Sequence, residues 1–290
     1  MKTTNIIYII TCKNRKITTT DDLAPSAQVI IANPENGIGS DKGVVEALNN
    51  VLKDAKSKGY RKFWIADDDL FGYSKIEELN AITKEYKSGP AVINKISTRI
   101  KLDLNEIEIP DDVAYASLGL SAFAKFQKGF ITYKGVPLAF KFYDLDLLGN
   151  DFQYEVPPSK EERWYEDIDL AFRLKKEGKK TCKISRFGYS SIPWHQDTNS
   201  VLMEEGAKTR LLWMYNTYKK WGDNLKIGAK KGQLKTFQLL PTNLEWPVKY
   251  SYDISSFDNF VADITDKFIT NPKKKGKKKV EEIEEIEDEE

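Results

Sequence analysis

The run Asn5-Ile-Ile-Tyr-Ile-Ile-Thr11 constrains the fold more than any other stretch of the chain. It is β-branched, apolar and uninterrupted, as expected of a strand buried on both faces, and such strands belong to sheets covered by helices. It breaks into the polar loop Cys12-Lys-Asn-Arg15. A second apolar run, Ala27-Gln-Val-Ile-Ile-Ala32, ends at Asn33-Pro34 and passes into the turn chemistry of Glu35-Asn-Gly-Ile-Gly39. Val44, Val45, Leu48, Val51, Leu52 and Ala55 recur at helical spacing, which predicts a helix over 42–58 stopped by Gly59. Lys62-Phe-Trp-Ile-Ala66 reads as a third strand, with Asp67-Asp68-Asp69 at its C-terminal end. Residues 75–86 read as a second helix before Gly89-Pro90, and Ala91-Val-Ile93 as a short strand.

That rhythm predicts a mostly parallel α/β sheet. In such sheets ligands bind at the carboxyl ends of the strands, which is where the acidic cluster falls. Residues 94–160 are less regular, with strand-like segments around 113–123, 130–133 and 136–143. A helix is expected from Trp164 to Lys176, ended by Gly178, then a strand over 180–184 and a loop or strand over 188–195. Residues 201–221 read as a long helix carrying Trp213, Tyr215, Tyr218 and Trp221.

Composition narrows the setting. The 290 residues, 40% hydrophobic, suffice for one large domain or two modest ones. No apolar run approaches the length of a membrane span, and no leader-like stretch opens the chain, so a cytoplasmic protein is expected. Cys12 and Cys182 both lie in strand-like runs and are read as small buried hydrophobes rather than a disulfide. The formal net charge is +1. Residues 273–279 read KKKGKKK and 281–290 read EEIEEIEDEE, like-charge blocks expected to be a disordered, solvated tail. Setting that tail aside leaves a mildly basic body, compatible with a phosphate-bearing partner.

Three elements carry candidate chemistry. In Asp67-Asp68-Asp69, alternate side chains on an extended segment point the same way, so Asp67 and Asp69 can face one ligand and Asp68 another. Such acids can hold a hard divalent cation against a diphosphate, or simply form a solvated turn capping a following helix. Glu166-Asp167-Ile-Asp169 opens the helix after Trp164-Tyr165. Acids in a first turn satisfy the helix dipole, but three in four positions exceed what a cap needs, and a carboxylate there can act as general base. His195 is the single histidine, in Pro193-Trp-His-Gln-Asp197. It is read either as a hydrogen-bonded structural residue or as a metal ligand.

The order of these elements resembles that of GT-A glycosyltransferases: an Asp-rich triplet, then Glu-Asp opening a helix within YEDIDLAFRL, then a later His. The resemblance covers about residues 5–200. It implies a GT-A-like, Rossmann-type nucleotide-binding sheet with an acceptor half. In residue numbers this is a domain over 1–240 (a nucleotide-binding half 1–93 and an acceptor half 94–240), an extension 241–270 and a tail 271–290. By the same resemblance, Asp69 and His195, with Asp67, would hold Mn²⁺ or Mg²⁺. Thr11, Arg15, Asn33, Asp67 and Asp68 would meet a nucleotide sugar, a UDP-sugar by expectation. Asp167 would be the base, with Glu166 beside it. More narrowly, the chain resembles the phage TET-associated glycosyltransferases, which implies DNA containing 5-hydroxymethylcytosine as the acceptor. Lys208, Arg210, Lys219, Lys220, Lys226, Lys230, Lys231 and Lys235 would then supply backbone contacts, or else decorate a solvated helix with an aromatic core face.

Rival readings remain. One is a glycosyltransferase acting on polysaccharide or protein. Another is a non-catalytic sugar-nucleotide-binding module. A third is a Mg²⁺-dependent phosphatase using Asp67 and Asp69, against which Phe71 stands where that chemistry wants a small polar or β-branched residue.

Overall fold

The computed structural model describes residues 1–12, 15–78, 95–124, 129–133, 136–191, 201–222, 225–228, 238–241 and 252–266. In chain order these form β1 (Ile6–Ile10), β2 (Gln28–Ala32), α1 (Val44–Ser57), β3 (Lys62–Asp67), β4 (Leu70–Glu78) and β5 (Lys95–Arg99). Then come β6 (Val113–Leu120), α2 (Ser121–Ala124), β7 (Ile131–Thr132), β8 (Phe140–Asp144), α3 (Leu145–Leu148), α4 (Glu166–Lys176) and β9 (Lys180–Ser191). The chain continues through α5 (Val201–Trp221), β10 (Leu225–Gly228), β11 (Gln238–Pro241) and α6 (Phe257–Thr265).

Among the described residues, β1–β9 make one mixed sheet in the order β2-β1-β3-β8-β6-β9-β4-β5, with β7 added against β9. The first three strands are parallel, as the apolar runs predict. The rest departs from a mostly parallel sheet: β8 is antiparallel to both β3 and β6, and β4 to both β9 and β5. β6 and β9 are parallel.

The helix expected over 75–86 is corrected for its described part, because Lys75 to Glu78 complete β4. Both edges of that strand are paired, with β9 on one side and β5 on the other. The ladder to β5 runs through Lys75–Glu78 and that to β9 reaches Lys75, and these backbone hydrogen bonds outweigh the local helical preference of Lys and Glu. Residues 79–86 and Ala91-Val-Ile93 lie outside the described residues, as do the charged tail, Trp246 and Tyr250.

Strand alternation sorts the sheet's two faces into two apolar layers. Ile7, Ile9, Trp64, Ala66, Phe140, Phe142, Ala116 and Leu118 share one layer. Tyr8, Phe63, Ile65, Tyr143, Tyr115 and Ala114 share the other, where Leu48, Val51, Leu52 and Ala55 of α1 and Leu170 and Leu174 of α4 cover them. Phe63 stacks on Tyr143 with ring centroids 5.5 Å apart. Full burial of each such side chain is worth roughly 1.5–3 kcal/mol, so these layers fix where the helices sit. Gly59 and Gly178 end α1 and α4 at positive φ, +76° and +71°, where a side chain would be strained.

The chain folds as two compact units, Met1–Pro157 with Glu166–Met203, and Pro158–Tyr165 with Glu204–Glu290. The sheet belongs to the first. In the second, Tyr215 and Tyr218 of α5 pack on Phe260 of α6, and Tyr218 also meets Tyr252 edge-on. That is the core use of the aromatic face weighed above. Trp213 packs edge-on against Tyr165.

Candidate active site

β1 and β3 run parallel with Ile10 opposite Asp67, so the two strands leave the sheet at the same edge. Thr11 follows β1 and donates through Oγ1 to Asp68 Oδ2 at 2.6 Å. Arg15 Nε stands 3.1 Å from the same oxygen. Asp68 is 3% exposed, and these contacts supply the charge and hydrogen bonds that burying a carboxylate demands. The Asp67–Asp69 corner leads into a strand, not a helix, so it is no helix cap. Thr18 and Thr19 brace it instead. Thr19 Oγ1 donates to the Asp67 carbonyl at 2.5 Å and accepts from the Leu70 amide at 3.1 Å, while the Thr18 amide donates to the Asp68 carbonyl at 2.9 Å.

Asn33 follows β2 at the same edge, since β2 is parallel to β1. Its Oδ1 accepts from the Asn36 amide, and its own amide donates to Asn36 Oδ1, a reciprocal cap on the single turn Pro34–Asn36. Gly39 lies against this turn, with its amide donating to the Asn33 carbonyl at 2.8 Å.

Asp67 faces a different neighbourhood from Asp68. It is opposite Ala139 of the chain entering β8, whose carbonyl accepts its amide at 3.1 Å. Two residues along β8 on the same face stands Lys141, 3% exposed, with its Nζ 2.6 Å from Asp167 Oδ1. Asp167 and Glu166 open α4, held over this face by Leu170 and Leu174 and by Arg173, which donates to the Gln153 carbonyl. Thus the sheet edge and the first turn of α4 bring Asp67, Asp69, Glu166 and Asp167 within electrostatic reach of one another, with Lys141 paired to Asp167.

The electrostatics follow. Burial pushes the Asp67 carboxyl up to about 7, against the attraction of Lys141 and with the repulsion of Asp167, Asp69 and Asp68. Burial, then the Asp167 charge, likewise lifts Glu166 to about 7, opposed by Lys141. Burial disfavours the Lys141 charge, but Asp167 and Asp67 outweigh that and hold it well above the ordinary lysine range. Tyr189 is raised by burial and by the same carboxylates, and its hydroxyl donates to the Leu138 carbonyl at 3.3 Å.

Of the residues singled out from sequence, Thr11, Arg15 and Asp68 are joined directly, and Asp67, Asp69, Glu166 and Asp167 are coupled electrostatically. His195 lies outside the described residues. Among the described residues no three His, Cys, Asp or Glu side chains are grouped as a metal-holding set. Sequence reading passed over Lys141, although a lysine between Phe140 and Phe142 was the available signal. It passed over Thr18 and Thr19 as well. Cys12 is corrected: it is exposed, because β1 ends at Ile10 and the chain turns into the loop, whereas Cys182 is buried as expected.

A parallel strand edge ending in Thr11 and the Asp run, beside helix-borne carboxylates on a mixed sheet, defines an α/β protein of GT-A-like type. The chain belongs to the TET-associated glycosyltransferase family, whose model matches residues 2–196. It is by that membership a glycosyltransferase. Among solved structures, the crystal structure of A197 from STIV is similar at 12% identity, over 66% of this chain and 86% of that one, with a TM-score of 0.36. No curated protein matches the chain. No helix among the described residues is long and apolar enough to cross a membrane.

Proposed function

We propose that the chain transfers a sugar from a nucleoside-diphosphate donor, a UDP-sugar in the first instance, to the hydroxyl of 5-hydroxymethylcytosine in DNA. The observation that supports this reading most is the meeting of the β1/β3 edge, with Thr11 and Asp67–Asp69, and the Glu166-Asp167 turn of α4 around Lys141. The edge is the donor side, where ligands of α/β sheets bind. The α4 turn is the acceptor side.

The all-oxygen, like-charged crowd of Asp67, Asp68 and Asp69 suits a hard divalent cation, whose charge would relieve their repulsion. Asp67 and Asp69 would hold it, with His195 the expected further ligand. When bound, Mn²⁺ or Mg²⁺ supplies charge neutralisation at the diphosphate. Thr11, Asn33, Arg15 and Asp68 bind and orient the nucleotide. Asp167 takes the proton of the acceptor hydroxyl as that oxygen bonds to the anomeric carbon. The bond from the anomeric carbon to the phosphate oxygen breaks, and the nucleoside diphosphate leaves with the electron pair. Attack from the face opposite the leaving group inverts the configuration. A DNA acceptor has to present its base unstacked or single-stranded.

The test is a panel of nucleotide sugars with Mn²⁺ and duplex DNA containing 5-hydroxymethylcytosine, read by mass spectrometry of the bases, with Asp69→Ala alongside. A metal-dependent sugar increment, lost in Asp69→Ala, is the expected result. Donor hydrolysis without DNA modification removes the acceptor assignment and leaves a polysaccharide or protein acceptor. No turnover of any donor by folded protein overturns the whole reading, and retained anomeric configuration overturns inversion.

A further inference from the structure

Lys141 occupies a place that stability does not explain. It is at the middle of the sheet, opposite Ile65 of β3 and Ser117 of β6, and beyond Ser117 the next partner is Lys183 of β9. Along the same face of β8 stands Tyr143, stacked in the apolar layer. An aliphatic side chain at 141 would extend that layer. Buried ion pairs commonly hold no stability advantage over well-packed apolar residues of similar volume, because desolvation offsets the attraction. What an ion pair adds is direction. The Lys141 Nζ is 2.6 Å from Asp167 Oδ1, and β8, which carries the lysine, is paired with a strand on each side.

We propose that Lys141 is a positioning residue for the transfer step: from the sheet centre its ammonium fixes the Asp167 carboxylate at the edge shared with Asp67. This rests on the reading of Asp167 as the base. α4 alone locates the Asp167 backbone, through Leu170, Leu174 and Arg173, but leaves the carboxylate free to rotate among its rotamers. Lys141 selects one. The ammonium stands against Oδ1 as an ion pair and so biases the carboxylate's rotation. The two sides of the reaction are thereby referred to neighbouring strands of one sheet, since Asp67 ends β3 and Lys141 lies on β8, its hydrogen-bonded partner. A general base mispositioned by an ångström loses a large factor in rate while substrate binding elsewhere is untouched.

The experiment is steady-state kinetics of the full chain, with the donor and acceptor identified by the panel above, on Lys141→Met, Asp167→Asn and the double variant. The expected result is a fall in kcat of about 100-fold for Lys141→Met, with donor KM within about threefold of the parent. Adding Lys141→Met to Asp167→Asn is expected to change kcat by less than about threefold, because Lys141 acts through Asp167. Unchanged kcat in Lys141→Met, with Asp167→Asn inactive, overturns the positioning role and leaves the base assignment standing. An active Asp167→Asn overturns the base assignment itself. A full further loss in the double variant shows that Lys141 acts elsewhere, which also overturns the proposal. Far-UV circular dichroism checks folding. If Lys141→Met does not fold, Lys141→Gln, which keeps a donor in the polar row, is read by the same comparisons.

Discussion

Thr11 and Asp68 join the ends of two parallel strands: the threonine hydroxyl donates to the carboxylate at 2.6 Å across 57 residues of sequence. With Arg15 at 3.1 Å from the same oxygen, the contact satisfies a carboxylate that is almost wholly buried. Hydrogen bonds to a buried charge are worth about 1.5–3 kcal/mol. Thr11→Val keeps the side chain's shape and removes the donor. It is expected to lower unfolding free energy by roughly that amount in urea titrations, with the m-value unchanged. An unaltered midpoint would mean that the carboxylate's other contacts, Arg15 among them, suffice.

Asp167→Asn is nearly isosteric and leaves α4 held by Leu170, Leu174 and Arg173. It removes the proton acceptor of the proposed transfer. Transfer is expected to fall by about 100-fold or more. Because the buried Lys141 ammonium loses its partner charge, stability is expected to fall as well, by about 3–5 kcal/mol. Comparing initial rates with a melting curve separates the two effects.

Glu166 gives a pH signature. Its carboxyl sits at about 7 in the folded protein against an ordinary 4.5, chiefly through burial. Between those values the folded state keeps a proton that the unfolded chain has released. Stability therefore declines as pH rises from about 4.5 to about 7, and stays at the lower level above. Glu166→Gln is expected to flatten this slope and raise stability at pH 8 by about 1–3 kcal/mol, since each pKa unit carries about 1.4 kcal/mol. Urea titrations of both proteins from about pH 4.5 to about pH 8 check it. A parallel slope in the variant would assign the effect to another group.

Gly39 is held to its identity by backbone, not by torsion. A Cβ there would lie 2.4 Å from the Asn33 carbonyl carbon and 2.8 Å from the Pro34 nitrogen. Neither can yield without moving the reciprocal Asn33–Asn36 cap. Gly39→Ala is expected to cost about 1–3 kcal/mol and to raise donor KM, because Asn33 moves with the turn. Differential scanning fluorimetry and donor titration test the two parts.

Ala139 carries the reverse case. Its φ is +55°, the Phe140 amide folds back to the Leu138 carbonyl, and its own carbonyl receives the Asp67 amide. A non-glycine residue in that region costs about 1–2 kcal/mol. Ala139→Gly is expected to stabilise by about 0.5–1 kcal/mol, less than the strain relieved because glycine has more freedom to lose on folding. A fall in thermal midpoint would show that the side chain's packing matters more than its torsion.

Much of this was legible in the residues. The unbroken Ile6–Ile10 run gave a doubly covered strand, and the apolar spacing from Val44 to Ala55 gave α1 and its buried face. Gly59 and Gly178 marked two helix ends, and the Asp run fell at the end of β3 as its position after Phe63-Trp-Ile-Ala66 implied. The end of β4 was not legible, because Lys75, Glu77 and Glu78 have helical preferences and become strand only by pairing with β5, joined at Lys75 by β9. Nor was the exposure of Cys12, which turns on where β1 stops.

By itself the sequence determined local period and sidedness: which residues alternate or recur at helical spacing, and hence which elements hold the acids. Only the tertiary structure decided which charge faces which. Asp67 and Asp68 are neighbours in sequence, yet one turns toward Lys141 and Asp167 and the other toward Thr11 and Arg15. Lys141 reads locally as one polar position in an apolar strand. Its pairing with Asp167, far along the chain, exists because antiparallel β8 lies between β3 and β6 while α4 packs across the same face. Backbone propensity is a short-range property, whereas a buried ion pair forms where the sheet order brings opposite charges together out of water.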